Sequence, residues 1–306
     1  MIVSVAGRDN MIQFHPLEIE DCARYRQYYE KCRDKSADYS FINMWGWNDK
    51  YHFELAYDDD LCWICSRGKN HCHMYSPVGN WQQKDWPQRI SLLSDGCIKF
   101  YRIPEGLARQ LEKDYPGQIF TKEDRGNWEY IYDAAELTAL SGQKFRSKRK
   151  AANQFKEMYD YEYQNMSSKD IAEICTFQNI WLDQPENAGD SCLQQEHNAI
   201  CRILHNWDKL CRNLLGGILR VNGEIVAYTI AEIISRDEII VHFEKALYNF
   251  KGAYAAINQL FLENNQGFRL VNREQDLNDQ GLRRVKLNYK PIKFLKKYDL
   301  ICMELH

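Results

Sequence analysis

The sequence predicts an α+β protein in which one structural plan is used twice. Its 306 residues are enough for two domains that each bury a core. In each half, helical patterns with apolar residues at three- and four-residue spacing flank a run of short, strand-like segments. Turn signals such as Asp-Asp-Asp and Asn-Gly separate the strands, which is typical of antiparallel meanders. We therefore expect two domains, residues 1–140 and 141–306, with mixed, mostly antiparallel sheets flanked by helices.

The first half contains two helical patterns, at residues 18–32 and 86–97. Between them, residues 40–79 are rich in aromatic and β-branched residues and are interrupted by turn signals, so they predict short strands. The second half begins near residue 158 with a strand-like segment, followed by two helices. Its next predicted elements are the strands 213–221, 224–233 and 237–247, the helix 252–265, the strand 268–272 and a last helix with a strand.

Composition excludes several classes of protein. Hydrophobic residues make up 44% of the chain and charged residues 27%, with a net charge of −3, which is the balance of a soluble globular protein. Eleven Cys, an odd number, occur without a secretory leader at the N-terminus, so reduced thiols and a cytoplasmic location are expected. No apolar run approaches the ~20 residues that cross a bilayer, so any membrane contact would be peripheral.

A His and a carboxylate alternate on the strand 237–247. In an extended chain His242 and Glu244 point to one face of the sheet. Side by side they would serve as a base and its orienting group in proton transfer. The alternative is a satisfied polar pair at the end of a strand.

A glycine turn joins that strand to the next helix. Lys251 and Gly252 stand at the start of the helix, where free backbone N–H groups and the helix dipole favour a phosphate or a developing oxyanion. Strand, glycine turn and helix also occur commonly without any ligand, so this signal alone is weak.

Acidic and basic residues are separated in the segment 271–291. If the strand 268–272 continues, Glu274 and Asp276 lie with Asn272 on one side and Arg273 lies on the other. From Arg283 to Lys297 there are seven Lys or Arg and no acid. Such a run is usually a solvated face, but here the bases alternate with apolar residues. Some of them, including Arg283 and Lys286, would then lie beside a core and need counter-charges or a phosphate.

A second basic segment, residues 143–156, carries six bases and no acid. On a helical wheel it has an apolar arc of Phe145, Ala151, Ala152, Phe155 and Tyr159 and an outer face of Arg146, Arg149, Lys150 and Lys156. Lys148 falls inside the apolar arc, so it either extends to the surface or points into a cleft. The two basic segments would form opposite walls of a groove for a polyanion.

A Cys-x-x-Cys followed by three further possible ligands suggests zinc. The residues are Cys62, Cys65, His71, Cys72 and His73. Along an ordinary strand, however, the first two cysteines face opposite ways, so we expect no metal. Nucleophile signatures and phosphate-binding glycine loops are absent.

Four stretches together carry a family resemblance: "KFRSKRKAANQF", "HFEKA", "KGAYAAIN" and "VNREQDLNDQGLRRVKLNYKP". Over residues 125–298 the chain resembles the soluble C-terminal domain of bacterial phosphatidylglycerol lysyltransferases and the stand-alone proteins that share it. The resemblance implies two tandem GNAT-like folds with the site in the groove between them. It also implies transfer of an aminoacyl group from aminoacyl-tRNA to a lipid head-group hydroxyl without acyl-CoA. The residues that match family motifs are Glu274, Asp276, Arg283, Lys148 and Arg149.

Two departures from related families keep alternatives open. The lysyltransferases carry an N-terminal membrane-embedded domain that is not seen in this sequence, which makes a small soluble acceptor as probable as a lipid head group. The glycine loop of acyl-CoA-dependent acetyltransferases is replaced by "NFKGAYA", which lowers the expectation of acyl-CoA without removing it.

The leading hypothesis is an acyl- or aminoacyltransferase with no resident cofactor. One acidic group or His would take the proton of the acceptor, and Arg283 or Lys286 would offset the charge that develops on the carbonyl oxygen. The candidates for the base are His242, Glu244, Glu274 and Asp276. The alternatives are an acyl-CoA-dependent acyltransferase and a protein without catalytic activity that binds RNA or an anionic surface through its basic segments.

Overall fold

The computed structural model describes residues 12–68, 72–82, 85–93 and 98–303, without the side chains of Cys72 and Cys211. These residues form two compact units. The first unit contains residues 12–41, 51–127 and 295–303, apart from the gaps, and the second contains residues 42–50 and 128–294.

The strands are β1 His15–Pro16, β2 Phe53–Asp58, β3 Leu61–Arg67, β4 Cys72–Tyr75, β5 Val78–Gly79, β6 Ile98–Pro104, β7 Ile119–Glu123, β8 Glu129–Asp133, β9 Tyr161–Asn165, β10 Leu214–Val221, β11 Glu224–Ile233, β12 Glu238–Ala246, β13 Leu270–Asn272, β14 Lys293–Leu295 and β15 Lys297–Cys302. The α-helices are α1 Cys22–Tyr29, α2 Phe41–Gly46, α3 Asn48–Tyr51, α4 Trp86–Ser91, α5 Glu105–Asp114, α6 Ala134–Ala139, α7 Arg146–Met158, α8 Ile171–Leu182, α9 Ser191–His205, α10 Trp207–Leu210, α11 Ala253–Asn264 and α12 Gln280–Asn288.

The sheet of the first unit has the strand order β1-β2-β3-β4-β6-β15-β7, with β5 also paired to β3. Strand β15 is antiparallel to both β6 and β7. The units therefore differ in extent from the ranges 1–140 and 141–306, because β15 belongs to the first unit, whereas β8 and α6 belong to the second.

The segment "SFINMWGW", residues 40–47, is not a strand as the sequence analysis expected. It forms α2. Phe41, Ile42, Met44 and Trp45 are buried, and so are the other two residues of α2, so the helix is enclosed on every side. Aromatic and β-branched residues between turn signals were the reason for predicting strands here, and tertiary packing of the buried helix overrode that preference.

The sheet of the second unit has the order β14-β8-β13-β12-β11-β10-β9. Its strands are mostly antiparallel, and β12 and β13 form a parallel pair. Tyr228 of β11 bonds to Gln178 of α8, whereas the preceding Ala227 packs in a cluster with residues of α11. Because neighbouring strand residues face opposite ways, α8 and α11 cover opposite faces. The predicted α+β class with two mostly antiparallel sheets is confirmed.

The Asn-Gly hairpin between β10 and β11 is also confirmed. Asn222 and Gly223 both have positive φ, 52° and 85°, as a primed two-residue turn requires.

A β-bulge interrupts the pairing of β11 with β12. Ile230 pairs with Phe243 and Ala231 pairs with Val241, which leaves His242 as the extra residue. A bulge re-aims the side chain of its extra residue and breaks the alternation of faces.

Helix α11 begins where it touches α7. Gly252 has φ +88°, and a Cβ there would lie 2.2 Å from the carbonyl oxygen of Ala151. Close packing of two helices therefore explains this glycine.

We expect Gly252→Ala to lower the free energy of unfolding by about 2 kcal/mol more than Gly223→Ala. Gly223 has a similar φ of +85° but nothing within 4 Å of a built Cβ, so urea denaturation of both variants isolates the clash. Equal losses would show that α11 does not depend on this close approach.

Among the helices that the structure describes, none is long and apolar enough to span a membrane.

Candidate functional site

A cluster of charged side chains lies in the second unit, where β12, β13, α7 and α12 supply residues that meet. At its centre Arg273 donates a hydrogen bond to Glu244 over 3.0 Å, and Asn258 of α11 donates to the other oxygen of that carboxylate over 3.1 Å. The side chains of Arg273 and Glu244 are only 13% and 10% exposed. Burial of this kind makes the pair expensive to separate.

Two cations of this cluster lie against the same aromatic ring. The ammonium nitrogen of Lys148 is 4.2 Å from the ring centroid of Tyr289, and the guanidinium carbon of Arg273 is 4.6 Å from it. Burial lowers the pKa of Lys148, and Arg273 lowers it further, against Glu244, which raises it. The wheel-based prediction that Lys148 departs from the exposed basic face is confirmed, since the side chain points into the cluster.

Both cations have capacity to bind an anion. Within the described part of the chain Lys148 makes neither a hydrogen bond nor an ion pair, only the ring contact. The buried Nη1 of Arg273 has no hydrogen-bond partner among the same residues. A buried cationic donor without an acceptor, such as Nη1 of Arg273, is costly in a folded protein. Lys148 beside it is only partly buried, so this part of the cluster suits an anionic group of a ligand.

Lys286 of α12 is the third cation. Burial lowers its pKa to about 8, and Arg273 contributes to the shift, whereas Glu274, Glu244 and Asp276 oppose it. The ammonium donates to the backbone carbonyl of Arg273. A lysine with this pKa is partly an amine near neutral pH and is able to exchange protons there.

His242 lies between two carboxylates. Its Nδ1 is 2.7 Å from Glu274 and its Nε2 is 3.1 Å from Glu232, and the imidazole is fully buried. Burial lowers the pKa of His242, but the hydrogen bonds to Glu232 and Glu274 outweigh it and raise the pKa to about 9. Burial also raises the pKa of Glu274, against His242 and Lys286. His242 is therefore a protonated imidazolium that donates a hydrogen bond from each ring nitrogen.

The predicted pairing of His242 with Glu244 is wrong. The two side chains share no partner in the contacts above, because the bulge at His242 breaks the alternation on which the prediction depended. The expected continuation of β13 is also wrong. The strand ends at Asn272, and Glu274 has φ +54°, so the chain turns rather than alternating.

Arg283, Tyr130 and a backbone N–H hold the carboxylate of Asp276. Arg283 donates to both of its oxygens over 2.9 and 2.8 Å, and Tyr130 donates over 2.5 Å. Burial raises the pKa of Asp276, but these bonds and the backbone N–H of Asn278 outweigh it and hold the pKa at about 2. Arg283 thus has its counter-charge seven residues earlier in the chain, where the sequence analysis left a counter-charge or a phosphate open.

We expect Asp276→Asn to lower the free energy of unfolding by about 2 kcal/mol at pH 7, because a buried carboxylate bonded to Arg283 and Tyr130 loses its charge. The folded-state pKa is below the ordinary value, so this stability is present above pH ~4 and is lost as the pH falls through ~2. Urea denaturation between pH 2.5 and 7 measures it. Asp279→Asn is the matched control, since Asp279 is an exposed N-cap and Asn caps as well as Asp.

A loss of activity in Asp276→Asn with unchanged stability would contradict this assignment and would return Asp276 to the group of reacting acids.

Some of the predicted phosphate-binding residues lie in the cluster and others lie outside it. Lys148 and Lys286 enter the cluster, as described. Arg149 instead donates to the carbonyl oxygens of Leu140 and Gly142 and so closes the end of α6. The side chain of Lys251 is exposed.

For zinc, His71 lies outside the described residues, as does the side chain of Cys72. Among the described residues no group of three or more His, Cys, Asp or Glu is placed to hold a metal ion.

The sequence analysis missed several members of the cluster. Tyr289 and Glu232 gave no signal, since a single tyrosine in a basic helix and a glutamate in a strand are both common. Arg273 was placed on the far side of the strand from the acids. Its hydrogen bond to Glu244 of β12 is made after the strand has ended at Asn272, so the predicted alternation does not account for it.

Comparison with known proteins places the chain in a family. The family model described as "Phosphatidylglycerol lysyltransferase, C-terminal" matches residues 30–301. The chain belongs to this family. The resemblance stated from the sequence motifs is thereby confirmed. No curated protein matches the chain.

Three solved structures illustrate the range of this similarity. A conserved protein of unknown function from Bacteroides thetaiotaomicron VPI-5482 is 31% identical, with a TM-score of 0.87 over 96% of this chain and 100% of that one. The C-terminal domain of a putative lysylphosphatidylglycerol synthetase from Agrobacterium fabrum is 13% identical, with a TM-score of 0.63 over 93% and 92% of the two chains. L-PGS from Bacillus licheniformis is 16% identical, with a TM-score of 0.63 over 93% and 92%. The last two share the fold.

Proposed function

We propose that this member of the phosphatidylglycerol lysyltransferase C-terminal family transfers an activated acyl or aminoacyl group to a hydroxyl or amine. In such a reaction the acceptor's oxygen or nitrogen attacks the carbonyl carbon of an ester or thioester. The bond to the donor breaks, and the acceptor's proton ends on the leaving group. The donor is already activated, so no covalent enzyme intermediate is needed.

The observation that carries the proposal is the pair of cations on Tyr289. Lys148 contacts only the ring, and Nη1 of Arg273 is a buried donor without an acceptor on a side chain that is 13% exposed. Donors of this kind stabilise an oxyanion or a donor phosphate far better than they would in bulk solvent. The negative charge that develops on the carbonyl oxygen during transfer is such an anion.

Lys286 is the best candidate for the group that takes the acceptor's proton. Its pKa of about 8 is close to the working pH at which a base is most efficient. His242 is already protonated and bonded on both nitrogens, and Asp276 is held by Arg283 with a pKa of about 2. We therefore assign His242, Glu274, Asp276 and Arg283 to positioning the segment that carries Arg273, and keep Glu244 as the partner that orients the Arg273 guanidinium.

Aminoacyl-tRNA is the donor we favour. The exposed face of α7 carries Arg146 and Lys150 on the same helix that directs Lys148 into the cluster. Bases beside a reacting centre suit a polyanion whose reactive end must enter while its backbone stays outside. The acceptor would be a lipid head group or a small soluble amine or hydroxyl compound. Acyl-CoA remains the second candidate donor.

The test presents the full-length protein with radiolabelled aminoacyl-tRNAs together with phosphatidylglycerol vesicles or a panel of soluble amines and alcohols. Label moving to an acceptor, in step with loss of charged tRNA, is the expected result. Lys148→Met should reduce transfer at least tenfold, because it removes the charge and keeps the side-chain length. Lys169→Met, which changes an exposed lysine outside α7 and α12, is the control.

The rivals predict different results. Micromolar binding of CoA by calorimetry with acyl transfer from acyl-CoA, and none from tRNA, would establish the acyl-CoA-dependent reaction instead. Salt-dependent tRNA binding without transfer to any acceptor would indicate a binding protein. Absence of both tRNA and CoA binding would refute the proposal.

A further inference from the structure

Helix α12 turns its basic residues toward the protein. Arg283, Lys286 and Tyr289 follow one another at a spacing of three residues, so they lie on one side of the helix. Arg283 donates to the buried Asp276. Lys286 donates to the backbone carbonyl of Arg273, and Tyr289 at the end of the helix is buried. The inner side of α12 is therefore polar and positively charged.

Apolar side chains of the same segment are exposed instead. Eleven large apolar residues are exposed in the described part of the chain, and five of them lie between residues 277 and 292, each at least 40% exposed. These five, which we call the α12 surface, are Leu277, Leu282, Val285, Leu287 and Ile292. A surface helix of a globular protein normally has the reverse arrangement, with its apolar side inward. An apolar surface of this kind marks contact with a partner.

Basic side chains lie among these apolar residues. Arg284 and Lys293 are both exposed, and Asp279 is the single acid of residues 277–293. The segment thus differs from the chain as a whole, whose net charge is −3. Aliphatic side chains flanked by bases match the surface of an anionic lipid bilayer. Such a bilayer takes up apolar side chains at the boundary of head groups and acyl chains, and it attracts Lys and Arg.

Other classes of partner match the α12 surface less well. RNA-binding surfaces stack bases on exposed aromatic rings, and the single aromatic residue of 277–293, Tyr289, is buried. A second copy of the chain that met this surface around a two-fold axis would bring the bases of both copies together. An anionic bilayer matches both the apolar and the basic side chains.

We propose that the α12 surface docks this protein on anionic lipid bilayers. Leu282 and Val285, three residues apart on one side of the helix, enter the boundary between head groups and acyl chains. Arg284 and Lys293 meet the lipid phosphates. The inner side of α12 keeps its contacts with the protein. Docking needs neither a donor nor an acceptor, so it is independent of the proposed group transfer.

Sedimentation with sucrose-loaded vesicles tests the proposal. The full-length protein, without tRNA or CoA, is mixed with vesicles of phosphatidylcholine alone or of phosphatidylcholine with either phosphatidylglycerol or phosphatidylserine. We expect affinities for the two anionic mixtures that are similar and at least about tenfold above that for phosphatidylcholine, with a decrease at high salt. Binding to phosphatidylglycerol alone would indicate recognition of one head group instead. Equal binding to all three vesicles, or to none, would refute the proposal.

Substitutions locate the contact on α12. Leu282→Gln combined with Val285→Gln should weaken binding to both anionic mixtures by about tenfold or more, because two apolar side chains no longer enter the bilayer. Ile180→Gln is the matched control, since Ile180 is also an exposed aliphatic residue of a helix, α8. Its affinity should stay within about twofold of the unaltered protein. Equal effects of the two changes would show that α12 is not the contact.

Amide hydrogen exchange of the unaltered protein gives a measurement that needs no variant. Vesicles with phosphatidylglycerol should slow exchange in peptides that cover residues 277–292 and leave those that cover α8 unchanged. Protection confined to other segments would overturn the proposal. Loss of tRNA binding or of a dimer in the double variant, in a protein that binds no vesicle, would also overturn it and assign the α12 surface to RNA or to a second copy.

Discussion

Lys286→Met is expected to lower kcat/KM for group transfer by about 10²- to 10⁴-fold, the usual contribution of a positioned base. The methionine keeps the length of the side chain and removes its proton-accepting nitrogen. In the unaltered protein the rate should rise with pH through ~8, because the pKa of Lys286 is lowered to about 8 and only the amine accepts a proton. In Lys286→Met this rise of the rate with pH should be absent.

The matched control is Lys290→Met, the same change one turn further on, where the side chain is exposed. Its kcat/KM should stay within about twofold of the unaltered protein. Circular dichroism and thermal denaturation of both variants separate loss of catalysis from loss of fold. If the rate of the Lys286→Met enzyme still rises with pH near pH 8, another group takes the proton.

His242→Gln is expected to lower the free energy of unfolding by about 3 kcal/mol at pH 6, since it leaves Glu232 and Glu274 buried without a cation between them. The folded-state pKa of about 9 lies above the ordinary value of ~6.5. The stability from His242 is therefore fully present below pH ~6.5 and is lost as the pH rises through ~9. The difference between the variant and the unaltered protein should narrow over that range.

Urea denaturation at several pH values measures this difference, with His205→Gln, an exposed residue at the end of α9, as the control. A difference between His242→Gln and the unaltered protein that does not change between pH 6 and 9.5 would mean that His242 is neutral in the folded state. It would then again be a candidate base, and the assignment of proton transfer to Lys286 would lose its support.

Most of the second unit could be predicted from the sequence. Its strands and helices are long and carry strong periodic patterns, and β10, β11, β12 and α11 lie where these patterns predicted them. The segment 40–47 was misassigned because a short apolar run fits a strand and a helix equally well. Only the packing of this segment in the folded protein, where all six residues of α2 are buried, decides between them.

Individual residues of the site could be predicted from the sequence, but their hydrogen-bond and ion-pair partners could not. The helical wheel correctly set Lys148 apart from the other bases of α7. The partners of His242 and Asp276 depend on a one-residue bulge and on a turn at Glu274. Neither feature can be predicted from composition or from the periodicity of apolar residues. Side chains that lie on one face in an ideal strand were therefore directed to different partners.

The position of β15 has a consequence for biosynthesis. Because β15 lies between β6 and β7, and Lys297 within it bonds to the buried Asp38, the first unit lacks an inner strand until residues 297–302 have left the ribosome. The second unit, with its last strand β14, is complete at residue 295. We therefore expect the second unit to fold first during translation. Strand β7 is synthesised earlier but remains unpaired until β15 is available. Ribosome-bound chains in which residue 295 has left the ribosome and residues 297–302 have not should expose the segment of β7 to proteolysis.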